Sequence, residues 1–506
     1  MSGQKRPDRP GADMALPASG LNLLLGTVLL LTGCAINPVT GGRDFTLMSE
    51  AEEIDKGRQA ASDILKEYGR YDLPPLQAYV DAVGQRLARE SHRPQLDYHF
   101  TVVDSPQVNA FALPGGHVYV TRGMLAYLNS EAELAAVLGH EIGHVTARHG
   151  VRQYSAAVAT QAVATVGSLA ASILMPQAGG QLAQGLQSFL GLTGNALLSG
   201  YGRGHELEAD RLGAEYLART GYDPQAMIQV IGVLKNQELF DVEIARQEGR
   251  EPRRYHGIFA THPDNDTRLQ EVVGEAGRPV RPSGRADGRR TEFLQQIEGI
   301  VFGDSVAHGV VRGNTFRHRE MGFAVSFPPG WRVRNRPDEV AALSPEGDAL
   351  VALRLFGEPR GSPADLIRAR LRLAPSDRVV SMTRNGLPMA LVTASVQNRE
   401  PYMVAVIYHD DQAFLLAGKG ASPAAYDRHR DALADSIGSF RTLADAERAA
   451  IRPLTIKIIT AAGGVRYADL ARDSPLGASA ENHLRLLNGH YPDGEPMIGQ
   501  RLKIVE

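Results

Sequence analysis

Apolar and polar positions change period several times along the chain, and each change marks an element or a boundary. Apolar residues recur at helical spacing from Ser49 to about Tyr68 and again from Leu76 to Ser91. Tyr98–Val103 and His117–Thr121 read as strands, with Pro114-Gly115-Gly116 as the turn before the second. Helical periodicity then dominates from Ser130 to about Glu275. Gly277 to Arg290 is rich in Gly, Arg and Pro and reads as a linker. From Phe316 the pattern becomes strand-like at Phe323–Phe327, Ala349–Phe356, Pro388–Val396 and Met403–Leu416. Helical stretches at Pro363–Leu373 and Pro423–Phe440 are interleaved, which predicts a small α+β domain. The last sixty or so residues read strand, helix, helix, strand: Leu454–Thr460, Tyr467–Arg472, Leu484–Gly489 and Ile498–Val505. The expected organisation is multidomain. A mainly α-helical domain with a small β-sheet spans 49–276. A linker and connecting helix follow at 277–315, then the α+β domain at 316–443 and a β-αα-β module at 444–506.

Composition narrows the classes. A net charge of −3 over 506 residues excludes a strongly basic nucleic-acid binder. A single cysteine excludes a disulfide framework and any thiolate-rich metal site. At the start, Lys5, Arg6 and Arg9 precede an apolar run from Leu21 to Leu31, too short to span a bilayer comfortably. The run ends in Leu31-Thr32-Gly33-Cys34, which resembles the bacterial lipobox. That resemblance implies a signal peptide at 1–33, acylation of Cys34, a tether at 34–48 and, with Ala35 next, the inner leaflet of the outer membrane. Ala156–Met175 and Gly179–Leu198 hold no charged residue. Their Gln, Ser and Thr dilute the apolarity, so 150–200 reads as a helical, lid-like insert over the site rather than a membrane span.

The chemistry concentrates at His140-Glu141-Ile142-Gly143-His144. Ser130-Glu131-Ala132-Glu133 has the form of a capping box that opens the helix. Two histidines four apart leave one side of it, one turn apart, which suits two nitrogen ligands on one zinc ion. Glu141 can reach a water at that metal as general base. Gly139 and Gly143 cost helix propensity but let another segment pack closely. A catalytic zinc needs a third protein ligand and an open position. On the next helix, Glu206 and Asp210 share a face. Glu206 can be the third ligand, and Asp210 can accept the other ring N–H of a zinc histidine. Glu208 points to another face and is expected in solvent. Because both histidines must be neutral to bind, activity is expected to collapse in mild acid.

These residues, His140 to His144 with Glu206-x-x-Ala209-Asp210, resemble the HtpX/BepA-like, CAAX-prenyl-protease-like family of zinc metallopeptidases. Asn109 to Gly123 is similar to the family's strand before the zinc helix. Tyr201-x-Arg203 matches too, with Gly202 where a serine is usual, as does Thr261-His262-Pro263 further on. Asn37-Pro38-Val39-Thr40-Gly41 and Leu47-Met48-Ser49 match the mature start of lipoprotein members. The likeness covers about residues 35 to 275.

The resemblance implies a zincin-like fold and one zinc per chain. It implies an edge strand within Ala110–Val120 that holds an extended, unfolded peptide, with Asn109, Ala110, Phe111, His117 and Tyr119 as the candidate substrate contacts. His262 has two implied roles: donor to the tetrahedral oxyanion, or inhibitory fourth ligand. Arg203 either stabilises charge in the cleft or pairs with a structural carboxylate, and His205 reads as a bystander. The expected function is zinc endopeptidase in the bacterial periplasm, acting on unfolded or misassembled envelope polypeptides. A latent peptidase serving as chaperone or scaffold is the alternative. The tail resembles a LysM module, though Gly464-Val465-Arg466 replaces the usual Gly-Asp-Thr. Its two readings are peptidoglycan contact, which would allow a cell-wall peptidase, and a structural module. The 316–443 domain loosely resembles PsbP-like domains and carries no evident chemistry.

Overall fold

The computed structural model describes residues 34–158, 201–247, 286–371, 377–394 and 402–506. The signal peptide, most of the insert and the Thr261-His262-Pro263 motif lie outside these. No helix among the described residues is long and apolar enough to cross a membrane.

The chain enters through a two-stranded ribbon, β1 (Cys34–Ile36) and β2 (Arg43–Phe45). The expected tether is thus an ordered hairpin: Asn37 Oδ1 accepts the amides of Val39 and Thr40 and fixes its turn. Helix α1 (Glu50–Tyr68) opens with a capping box between Ser49 and Glu52. Helix α2 (Pro74–Arg89) follows. Strands β3 (His99–Val103), β4 (Ala110–Leu113) and β5 (His117–Thr121) form a sheet in the order β3-β5-β4. Among the described residues strand β4 pairs only with β5, at the edge of the sheet.

After the short helix α3 (Arg122–Tyr127) comes α4 (Glu131–Thr146), the helix that carries the histidines. All its residues but Ala132 are buried, so it is the axis of the domain rather than a surface helix. Ser130 Oγ accepts the Glu133 amide, as a cap should. The Glu133 carboxylate, however, accepts from the Asn129 amide at 2.7 Å, not from Ser130, so the expected reciprocal box is replaced by a bond one residue upstream. Around α4 pack α2, the sheet, α5 (Arg203–Arg219), α6 (Gln225–Gln247) and α7 (Ala286–Ile297).

The β-rich region beyond has its own cores. A seven-stranded antiparallel sheet runs from Arg332–Asn335 at one edge to Val379–Arg384 at the other, with Pro363–Arg370 and Pro423–Gly438 as its helices. The Met403–Leu416 run, expected as one strand, is a hairpin of Tyr402–His409 and Gln412–Gly420. Asp410 turns it with φ +48°, a conformation Asp tolerates better than most residues.

The tail has the expected strand–helix–helix–strand order, with Leu454–Thr460 antiparallel to Arg501–Val505. It is not a separate body. Strand β6 (Val301–Phe302), from the expected linker, pairs with its first strand. Ile456, Tyr467, Leu484, Leu486, Leu487 and Val505 belong to the same apolar core as α4. Lys503, fully buried, donates to the carbonyls of Ala126 and Leu128 at 2.7 Å each. Burial pushes its pKa well down and that of buried Glu133 up, while the charge of each opposes the shift of the other. The tail is therefore built onto the loop that launches the histidine helix.

Candidate active site

Helices α4 and α5 cross at glycine. A Cβ at Gly143 would stand 2.9 Å from the Ala209 carbonyl oxygen, and one at Gly139 would stand 3.3 Å from that of Gly213. From the other side, a Cβ at Gly213 would stand 3.0 Å from the His140 nitrogen. The close approach expected of Gly139 and Gly143 is what brings the acidic face of α5 onto the histidines.

His140, His144 and Glu206 meet there, all buried. The two Nε2 atoms lie 3.0 Å apart, and the Glu206 oxygens lie 3.6 Å from His140 Nε2 and 3.5 Å from His144 Nε2. Bonds of about 2.0–2.1 Å in a tetrahedral metal site put ligand atoms roughly 3.4 Å apart. The three edges bracket that value, so the donor set fits one metal ion.

Asp210 accepts from His140 Nδ1 at 2.8 Å, which leaves the Nε2 lone pair facing Glu206. Both acidic residues of α5 are thus brought to the histidines, Glu206 beside the two Nε2 atoms and Asp210 on His140 Nδ1. Glu141 is buried beside the cluster. Tyr201 lies flat on the His144 ring, centroids 4.1 Å apart at 16°. Burial, with the charges of Glu141 and Glu206, pushes its phenol pKa up and keeps it neutral.

Other expectations fare differently. Glu208 is not free in solvent: it accepts from His149 Nε2 at 3.0 Å and Arg152 Nη1 at 3.1 Å, and these hold its carboxyl down at about 2. His205 stacks on His149 at 4.3 Å and 18°, and burial lowers its pKa to about 4. Arg203 is the exposed first residue of α5, a turn before Glu206.

Edge strand β4 passes beside the cluster, and a crevice there is lined by Leu113, Pro114, His144 and Tyr201. Asn109 is buried in strand pairing, donating its amide to Thr121 Oγ1 and accepting from Thr121 through its carbonyl. Ala110 faces the α4 core. Phe111 and Tyr119 pack with Ala61 and Ile64 of α1 on the opposite face. His117 stacks on His99 at 4.8 Å, and its pKa is lowered to about 4, chiefly by burial. The structure therefore does not bring the Phe111, His117 and Tyr119 side chains to the ligands; what β4 offers at the site is main chain.

The sequence reading missed His149, Arg152 and Tyr201 as neighbours of the ligands. Tyr201 had a signal in its motif. His149 had none at helical spacing, because Arg148 breaks the helix with φ +55°.

Two histidines one turn apart on a buried helix, a glutamate between them and an acidic residue from the next helix form the arrangement expected of a metallopeptidase of the His-Glu-x-x-His type. The comparisons agree. Residues 74–276 match the family model of peptidase family M48. The chain is 35% identical over 239 residues to a beta-barrel assembly-enhancing protease of Yersinia pestis, covering 46% of each protein. It is 34% identical over 204 residues to the mitochondrial metalloendopeptidase OMA1 of Schizosaccharomyces pombe, covering 40% of this chain and 57% of that protein. A solution structure of cyanobacterial PsbP from Synechocystis covers 28% of this chain and 98% of its own, at 11% identity and a TM-score of 0.21, a likeness too low to argue from. The chain spans about half the length of the curated relatives it matches. The likeness to peptidase family M48 thus lies in the helical region that carries the candidate site.

Proposed function

We propose that this chain is a zinc-dependent endopeptidase acting on unfolded or misassembled polypeptides of the bacterial envelope. The observation that carries the reading is the buried His140–His144–Glu206 cluster with Glu141 beside it and edge strand β4 alongside. Two imidazoles and one carboxylate form a donor set suited to zinc. Zinc bound there would supply Lewis-acid polarisation of a water and of the scissile carbonyl.

The rest is the work of the chain's own groups. The edge of β4, unpaired among the described residues, holds an extended substrate by main-chain hydrogen bonds, which favours unfolded polypeptide over any one sequence. Glu141 takes the proton of the attacking water and passes it to the leaving amine. Asp210 holds His140 in the tautomer whose Nε2 is free to bind. His262, outside the described residues, keeps the two roles the family resemblance implies, oxyanion donor or fourth ligand that shuts the site. Arg203, the exposed first residue of α5, either stabilises negative charge in the cleft or pairs with a structural carboxylate.

The envelope role rests on the likeness to a beta-barrel assembly-enhancing protease and on the lipobox-like start, which would anchor Cys34 in the outer membrane. The tail keeps its LysM-like order, and its docking on the peptidase domain supports a structural role over peptidoglycan capture.

The test is cleavage of casein by the purified chain, with zinc content measured alongside. Glu141→Gln should retain zinc and lose roughly 10²–10⁴ of the rate, the usual contribution of a general base. Zinc bound, with no cleavage by wild type, would favour a scaffold instead. Cleavage undiminished in Glu141→Gln would overturn the mechanism.

A further inference from the structure

The peptidase reading accounts for His140 and its partner Asp210. It leaves the other histidine with a neighbour of an unusual kind. His144 Nδ1 lies 2.8 Å not from a carboxylate but from the Nδ1 of a second imidazole, His149. His149 is fully buried, and its Nε2 lies 3.0 Å from Glu208. Glu208 in turn accepts from Arg152, whose Nε also approaches Asp44 of strand β2 at 3.5 Å.

Proton placement along this row follows from its ends. A carboxylate beside Arg152 can only accept, so the His149 Nε2 carries a hydrogen and donates it. The 2.8 Å Nδ1–Nδ1 contact with His144 holds a single hydrogen, and a His144 that binds metal through Nε2 must carry it on Nδ1, so His149 meets it as the neutral acceptor. A neutral imidazole protonated at Nε2 has a bare Nδ1, which must accept. His144 Nδ1 must therefore carry the hydrogen it donates, and its Nε2 lone pair is left toward His140 and Glu206. One arginine, through a carboxylate and an imidazole, fixes the tautomer of a metal ligand.

The fold maintains this placement at some cost. His149 is five residues after His144 and would lie on another side of a continuous helix. Arg148 interposes a left-handed residue, φ +55°, which is uncommon for a side chain of this size. Its guanidinium is held at 2.8 Å by Glu53, itself paired with buried Arg93 at 2.7 Å. Tyr201 covers His144, and His205 covers His149, both by stacking. The turn, the ion pairs and the stacked rings all serve to point one imidazole at another.

We infer that His149 is a positioning residue for the metal centre, a relay through which Glu208 and Arg152 orient His144. This rests on the metal-site reading and extends it to residues outside the ligand set. Outer partners of ligand histidines typically contribute 10–100-fold in metal affinity.

The test uses the full chain and measures zinc affinity by competition with a chromophoric chelator, together with the visible spectrum of the cobalt-loaded protein. His149→Ala and Glu208→Gln should each weaken zinc binding by about 10–100-fold and shift the cobalt bands, with circular dichroism unchanged. In Glu208→Gln the fold is the safer of the two, since the side-chain shape is retained. Wild-type zinc affinity and cobalt bands in folded His149→Ala and Glu208→Gln would overturn the relay while leaving the ligand set standing. A wild-type chain that takes up no zinc would overturn the metal centre and the relay with it.

Discussion

Replacing Gly143 by alanine tests whether helix contact sets the metal geometry. By helix propensity alone the change should stabilise α4 by up to about 1 kcal/mol. Its surroundings reverse the sign. The new Cβ would stand 2.9 Å from the Ala209 oxygen and 3.1 Å from its Cα, up to about 0.5 Å inside the 3.4 Å where ordinary contact begins. Both neighbours are backbone and cannot rotate away. Overpacking of this kind costs about 1–3 kcal/mol, so the net effect is a loss on the order of 1 kcal/mol.

The functional effect is larger than the stability effect. Ala209 and Glu206 sit on one rigid helix, so relieving the contact moves the carboxylate with it by a few tenths of an ångström. Metal–ligand distances tolerate about ±0.2 Å. Zinc affinity should therefore fall by at least tenfold, and casein cleavage with it. Gly139→Ala is the control: its Cβ would meet Gly213 at 3.3 and 3.4 Å, which needs only about 0.1 Å of give. That variant should bind zinc normally and unfold no earlier in urea than wild type. Equal zinc affinity in Gly143→Ala and Gly139→Ala would refute the idea that the glycine contact positions Glu206.

Two further predictions concern the docked tail. Lys503→Met leaves the buried carbonyls of Ala126 and Leu128 without the donor that reaches them from the tail and should destabilise the chain by about 1–3 kcal/mol in urea; an unchanged midpoint would show that these two bonds contribute nothing. His483 hydrogen-bonds Tyr127 at 2.6 Å and packs against Phe240 and Phe302, and burial lowers its pKa to about 4. The unfolded chain then binds the proton first, so stability is full above about pH 6.5 and falls as the pH drops toward 4, by up to roughly 3 kcal/mol. His483→Phe should flatten that slope, and a slope identical to wild type would remove His483 as its cause.

The parts of this site that were legible in the sequence are those governed by one helix's own periodicity. His140 and His144 share a face because they are four apart, and Glu206 and Asp210 share one for the same reason. Gly139 and Gly143 announced a close approach before its partner, Ala209 and Gly213, could be identified. The ligand set needed only those local rules and the coordination number of the metal.

What was not legible depended on breaks in periodicity or on contacts between distant segments. Glu208 was placed in solvent because the helical wheel turns it away from Glu206; nothing in α5 says that the turn at Arg148 delivers His149 and Arg152 to that side. Lys503 reads as the polar member of an alternating edge, Leu-Lys-Ile, and so as solvent-facing. Its burial follows from two carbonyls, those of Ala126 and Leu128, about 375 residues away in the chain. The same contact changes what the tail is. A module that only captured glycan would need a linker and a free surface, whereas this one shares the core of α4 and supports the loop from which the histidine helix starts. Removing it would therefore disturb the metal site first, and loss of function on truncation would say nothing about cell-wall binding.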